Sequence, residues 1–292
     1  MFQVPVTFCA PLADQTPQMR RLVMHEFAVH GAKHLVLTSS LIEQCMREYK
    51  LPGQLQKEMA AEGLTFVDSH APFQGCVDPI YPDASYRRQM ITRLKLCLNI
   101  CAENGVDTFT VHVGNDFHYP EIPLETHRRN IEDALSQILP EAEACGVTVC
   151  IENIWVRSNV SSELIRYVKL FSNPFLGLCF DSGHANLMEK GMNYETNSVT
   201  DLWKRVGCEP IWQEHILEDM LPFTVNCHLH DNFGQFDDHT LPGKGNIDWQ
   251  HIVTLLKQAP RLKNIQSEVD MKVATSPSIG ELVSAFDQLG EL

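Results

Sequence analysis

LGLCFDSGH, residues 176–184, is an apolar run that stops on an acid and a histidine. The same design recurs on both sides of it. VTVCIEN (147–153), FTVNCHLHD (223–231) and NIQSEVD (264–270) are strand-length and mostly apolar, and they carry Glu152, His228 and Glu268 toward their ends. Upstream, LTFVDSH (64–70) and DTFTVHV (107–113) lead to His70 and His112 in the same way. Short continuous apolar runs bounded by polar loops read as strands buried on both faces, the mark of a parallel sheet covered by helices.

Two further strand-like runs, QVPVTFCA (3–10) and HLVLTSS (34–40), precede these six. A helix-like stretch follows every run: Pro17–Gly31, Leu41–Gly63, Ala84–Gly105, Leu124–Gly146, Ser161–Phe171, Asp201–Asp219 with a break near Pro210, Asp248–Gln258 and Ser276–Leu289. Ile131, Leu135, Ile138 and Leu139 share one helical face, and Gly31, Gly63, Gly105 and Gly146 stand where left-handed helix caps are expected. Alternating strands and helices imply right-handed crossovers between parallel strands. Eight such units predict an α/β (β/α)8 TIM barrel, which takes roughly 250 residues. No linker-like composition divides the chain, so residues 1–292 are read as a single TIM-barrel domain.

Composition narrows the partners. The net charge is −14, which disfavours nucleic acid, because phosphate binding leaves a basic footprint. The loops after strands three and four, APFQGCVDPIYPD (71–83) and GNDFHYPEIP (114–123), hold no Lys or Arg. The apolar runs fall well short of the roughly 20 residues of a membrane helix, and the N-terminus lacks the pattern of a signal peptide. The ten cysteines form no CxxC pair and fall mostly within apolar patterns. That suggests a reducing, cytoplasmic setting with Cys as a small hydrophobe.

In a closed parallel barrel the strand C-termini converge on one face, and that face carries the chemistry. Glu152, Asp181, His228 and Glu268 end strands five to eight and are therefore neighbours. Their mixed oxygen and nitrogen donors can hold one divalent metal ion with room left for substrate. The carboxylates favour Mn or Mg, whereas additional histidines favour Zn or Co. His70, His112, His184, Asp237 and His239 are candidates for substrate contacts or for additional metal. Of His228 and His230, one is expected to face away from the lumen, and His228 is taken as the ligand. Trp155 and Arg157, in the loop after strand five, are candidate substrate contacts.

The segment HLHDNFGQFDDHTLPGKGNIDW (228–249), with IEN, DSGHAN and SEVD in that order, resembles the xylose-isomerase-like TIM-barrel superfamily. That superfamily holds sugar phosphate isomerases and epimerases and the endonuclease IV type of apurinic-site enzyme. The resemblance implies a metal-dependent sugar isomerase/epimerase with a small-molecule carbohydrate substrate and a possible homo-oligomeric state. Glu152, Asp181, His228 and Glu268 match the single-metal set of the ketose epimerases, in which the two glutamates are also the acid/base pair and His184 binds substrate. The expected chemistry is proton abstraction beside a carbonyl through a metal-stabilised enediolate. His70, His112, Glu152, Asp181, His184, His228, Asp237, His239 and Glu268 together also match the three-zinc set of the endonuclease branch. The alternatives are thus a three-zinc phosphodiesterase on abasic DNA, with up to three Zn, or a metal-dependent dehydratase/lyase. The net charge and the absence of basic loops favour the isomerase/epimerase.

Overall fold

A computed structural model describes residues 2–73, 77–189, 197–271 and 276–292. In chain order its elements are β1 (Val6–Phe8), α1 (Pro17–Val29), β2 (His34–Leu37), α2 (Ser39–Arg47), α3 (Leu51–Ala61), β3 (Thr65–His70), α4 (Ala84–Glu103), β4 (Thr108–Val111), α5 (Leu124–Cys145), β5 (Thr148–Glu152), α6 (Ser161–Phe171), β6 (Leu176–Asp181), α7 (Ser182–Met188), α8 (Ser198–Arg205), α9 (Ile216–Met220), β7 (Thr224–Leu229), α10 (Trp249–Leu256), β8 (Asn264–Ser267) and α11 (Ile279–Glu291). The eight strands are parallel, pair in sequence order, and close with β1 against β8. The expected (β/α)8 barrel is therefore what the chain adopts. No helix among the described residues is long and apolar enough to cross a membrane.

The helices form for local reasons and stay for packing. On α5 the expected stripe is buried against the sheet, together with His127, Ala134 and Ala142. That helix stops at Gly146, whose φ of 70° needs a residue without Cβ. Ser278 and Glu281 form a reciprocal capping box at the start of α11. The continuous helix expected over Leu41–Gly63 is instead two, α2 and α3. Pro52 lacks the N–H that would continue the first helix, and it sits in the opening turn of the second. The break expected near Pro210 is present, between α8 and α9. DSGHAN does not extend its strand: Asp181 caps α7 by accepting the His184 backbone N–H at 2.6 Å.

The apolar core lies between barrel and helices, where Phe27, Phe109, Tyr167, Phe180 and Phe286 are fully buried. Buried thiols belong to it, and burial raises the Cys97 thiol to about 12, as suits a packing role. Inside the barrel the floor is polar. Asn226 on β7 donates to Asp68 on β3 at 3.0 Å and to Thr110 on β4 at 3.1 Å, while Asn264 on β8 donates to Thr108 at 2.8 Å. These bonds cross the lumen and brace opposite walls directly beneath the strand ends.

Candidate metal centre

The strand registers bring the acids together. Asp181 lies level with His228, and His228 lies level with Gln266, two residues before Glu268. Glu152, Asp181, His228 and Glu268 each offer a donor atom, and these four atoms lie within 4.8 Å of one another. Glu152 Oε1 and Glu268 Oε1 both reach His228 Nδ1, at 3.1 and 3.0 Å. Gln266 steadies the second glutamate by donating to its Oε1 at 2.7 Å. The Asn153 side chain ties β5 to β6, donating to the Asp181 carbonyl at 3.0 Å and accepting its N–H at 2.8 Å.

His70 and His112 approach the other oxygen of Glu152, with Nε2 at 3.4 and 2.8 Å. A second donor group adjoins the first. His184, His230, Asp237 and His239 also place one donor atom each within 4.8 Å of one another. His184 Nε2 and His239 Nε2 stand 3.5 and 3.1 Å from Asp237 Oδ2, and His230 Nε2 stands 3.2 Å from Asp181 Oδ2. The His230 and His239 rings are stacked at 3.8 Å.

The tautomers are set by the backbone. His70, His184 and His239 each point Nδ1 at a main-chain carbonyl, that of Ala71, Asn153 and Glu268 respectively, at 2.7, 2.9 and 2.7 Å. A carbonyl only accepts, so Nδ1 carries a proton, and Nε2 of each ring is left to meet a carboxylate, either as a second N–H donor or through a lone pair. Where Nε2 is unprotonated, a cation between it and the carboxylate oxygens would satisfy both, and an anchored Nδ1–H is the usual support of a metal-binding imidazole. His230 Nδ1 and Asp237 Oδ1 are buried without hydrogen-bond partners. The donor set therefore fits a divalent ion.

The electrostatics agree. Burial alone would raise the Glu152 carboxyl, but the His228 and His112 imidazoles hold it well below the usual carboxylate range. Glu268 is lowered against burial by His228, and Asp237 against burial by His184 and His239. Burial opposes charge on His239 too, yet Asp237 lifts it to about 9. His112 is the exception: burial outweighs Glu152 and lowers it. Positive charge is thus demanded at the cluster, and protons or a metal ion can meet that demand.

A cavity of about 800 Å³ opens over these groups. His70, His112, Glu152, His184, Asp237, His239 and Glu268 reach its wall, and Phe73 and Trp155 add aromatic surface. Trp155 meets His184 edge-on at 4.8 Å. Residues 74–76, in the sequence after β3, lie outside the described residues. Two expectations need correction. Arg157 does not line the cavity: its Nε donates to buried Asp116 at 2.5 Å, tying the loop after β5 to the loop after β4. Nor does His230 turn away from the site. Residues two apart share a face of a strand, so His228 and His230 both point inward. That spacing was the available signal for His230. Gly183 completes the arrangement, since a Cβ there would overlap the His230 ring.

The sequence model of the xylose isomerase-like TIM-barrel family matches residues 41–272. A Sinorhizobium fredii protein, y4fM, is 33% identical over 175 residues, covering 57% of this chain and 48% of the relative. The chain thus spans about half the length of that curated relative. Among solved structures, an L-ribulose 3-epimerase superposes with a TM-score of 0.71 at 14% identity, covering 99% of this chain and 94% of the other. A xylose isomerase-like TIM-barrel protein from Mycobacterium smegmatis, in complex with magnesium, gives 0.70 at 12% identity, covering 100% and 98%. At such identities the structural likeness establishes the fold alone.

Proposed function

Because the chain belongs to the xylose isomerase-like TIM-barrel family, we propose that it is a divalent-metal-dependent sugar isomerase or epimerase acting on a ketose, a sugar phosphate or a cyclitol. The observation that carries this reading is the pair Glu152 and Glu268. Their carboxylates reach one imidazole nitrogen, at 3.1 and 3.0 Å, from strands three places apart in the barrel. Glu152, Asp181, His228 and Glu268 would hold the ion. When bound, a divalent cation supplies Lewis-acid polarisation of a carbonyl oxygen and its neighbouring hydroxyl.

The chain's own residues do the rest. Both glutamates are held ionised by their imidazole neighbours, so either can take the proton from the carbon beside the carbonyl. The second, after taking up a proton from water, delivers it to the opposite face of that flattened carbon, or the first passes the proton it took to the adjacent carbon while a hydroxyl proton crosses to the neighbouring oxygen. The first outcome inverts a stereocentre, and the second interconverts ketose and aldose. Phe73 and Trp155 give the cavity an apolar wall for a sugar face and exclude water from one side. His70, His112 and His184 stand where they can orient hydroxyls. The L-ribulose 3-epimerase and magnesium-bound neighbours support the substrate class and the need for an ion.

A second reading, a phosphodiesterase with up to three zinc ions, is favoured by one observation: the adjoining group of His184, His230, Asp237 and His239. Elemental mass spectrometry of the purified chain and of Asp237→Ala separates the two, and an ion count that this exchange leaves unchanged supports the isomerase/epimerase. The decisive assay is turnover of a ketose panel by manganese-loaded protein in deuterium oxide. Deuterium entering the carbon beside the carbonyl is the expected result. No exchange with any ketose, together with cleavage of abasic-site DNA, would overturn the proposal.

A further inference from the structure

A separate group of metal-type donors lies away from the barrel mouth, in the outer layer beside β7. Glu189 follows α7, His215 immediately precedes α9, and Glu218 lies on α9. One donor atom from each lies within 4.8 Å of the others. His251, on α10, contacts Glu218 Oε1 through Nε2 at 2.9 Å. The group thus combines two carboxylates with two imidazoles, from three segments that are distant in sequence.

The backbone around it is built to hold this shape. Glu189 and Gln213 form a parallel bridge, Gln213 donates to the Met188 carbonyl at 3.0 Å, and the His215 N–H donates to Glu189 Oε1 at 3.1 Å. His215 itself has φ 55° and ψ 44°, a left-handed conformation that costs a residue with a Cβ about 1 kcal/mol. Nothing in a capping role explains the cost, because His215 makes no side-chain cap to α9. The conformation does bring its imidazole beside the two glutamates. Glu189 is half-buried, and its carboxylate faces that of Glu218 across the gap. Two acids that repel across a gap flanked by imidazoles are arranged for a cation.

We propose that Glu189, His215 and Glu218 form a second, structural metal site for a divalent ion of zinc's class, with His251 orienting Glu218 or completing the coordination. Zinc accepts mixed carboxylate and imidazole ligands, and a closed set of four is its usual structural arrangement. The ion would clamp the end of α7 to the helices on either side of β7, the strand that carries His228. The segment ending at His215 also carries Trp203, whose indole N–H donates to the Trp155 carbonyl at 2.7 Å. Pinning that segment therefore braces the tryptophan on the cavity wall.

The test uses the full chain stripped by chelator and dialysed against zinc, with zinc counted per chain and melting temperature recorded. His215→Gly removes the ligand while relieving the left-handed backbone, so in chelator it should melt at or above wild type. Loaded with zinc, wild type should hold one more ion per chain than His215→Gly and gain more in melting temperature. Glu218→Gln should lose the same ion, and it carries the test if the glycine variant does not fold. Equal zinc content and equal zinc-induced stabilisation in wild type and the folded variants would overturn the site. None of the exchanged residues lies at the barrel mouth, so the outcome does not depend on the proposed activity.

Discussion

At the scale of single residues, the site works through a division between groups that hold charge and groups that hold geometry. Glu152 is the hinge of it, because His70, His112 and His228 all converge on its two oxygens. Replacing it or Glu268 by Gln keeps the shape and removes the base. Either change should lower turnover on the order of 10³-fold, within the usual range for a lost acid/base group. The circular dichroism of the fold should survive, and wild-type activity in either variant would refute the acid/base roles. Asp237→Ala reads the second donor group. In a one-ion isomerase, turnover stays within a few-fold of wild type, whereas a collapse in activity with loss of more than one bound ion would transfer support to the multi-zinc reading. His230 was hidden by a mistaken expectation about alternation, although its spacing from His228 pointed inward. Arg157 was misplaced for another reason: a sequence shows an available cation but not the buried Asp116 that engages it.

At the scale of elements, the barrel is secured by contacts between helices that a linear pattern does not expose. Arg20 on α1 makes a two-pronged pair with Glu58 on α3, at 2.7 and 2.8 Å, and both side chains are buried. Breaking a buried pair from one side leaves an uncompensated charge, so Glu58→Gln should destabilise the fold by about 3 kcal/mol in denaturant melts. The pair also gives stability a pH dependence. Burial raises the Glu58 carboxyl, but Arg20 and Gln54 overcome this and bring it below its ordinary value. A carboxyl lowered by folding adds stability that is fully present above its unfolded value, near 4.3. That contribution is lost as pH falls through the lower folded value. The acid limb of the wild-type stability profile should therefore be steeper below about pH 4 than that of Glu58→Gln. An identical acid limb in the two proteins would show that the pair does not titrate with folding. At α7, Gly183→Ala should displace the His230 ring and weaken metal binding while leaving the strand order unchanged. Isothermal titration with Zn²⁺ reads that effect, and unchanged affinity would mean His230 takes no part.

At the scale of the whole molecule, the barrel mouth concentrates carboxylates and imidazoles whose mutual charge is best balanced by an ion. Chelation should therefore lower the melting temperature and readdition should restore it, by the stabilisation of about 2.7 kcal/mol that a ligand at a hundredfold its dissociation constant provides. A melting temperature indifferent to chelator would remove the ion from the account. Strand identity, the helix stripe on α5, the glycine caps and the set of acids at the strand ends were all legible in the sequence. Each follows from a local period, a local backbone preference or a fixed position in a repeating unit. The split of Leu41–Gly63 into α2 and α3 was written in Pro52 but overlooked within an apolar pattern. Three things were decided only by the tertiary structure: the cross-lumen polar floor, the anchoring of three histidines on backbone carbonyls, and the meeting of Glu189 with Glu218. Each depends on how far one strand is staggered against the next and where a loop returns. Such distances arise when the sheet closes on itself, and no pattern along a single strand or helix encodes them.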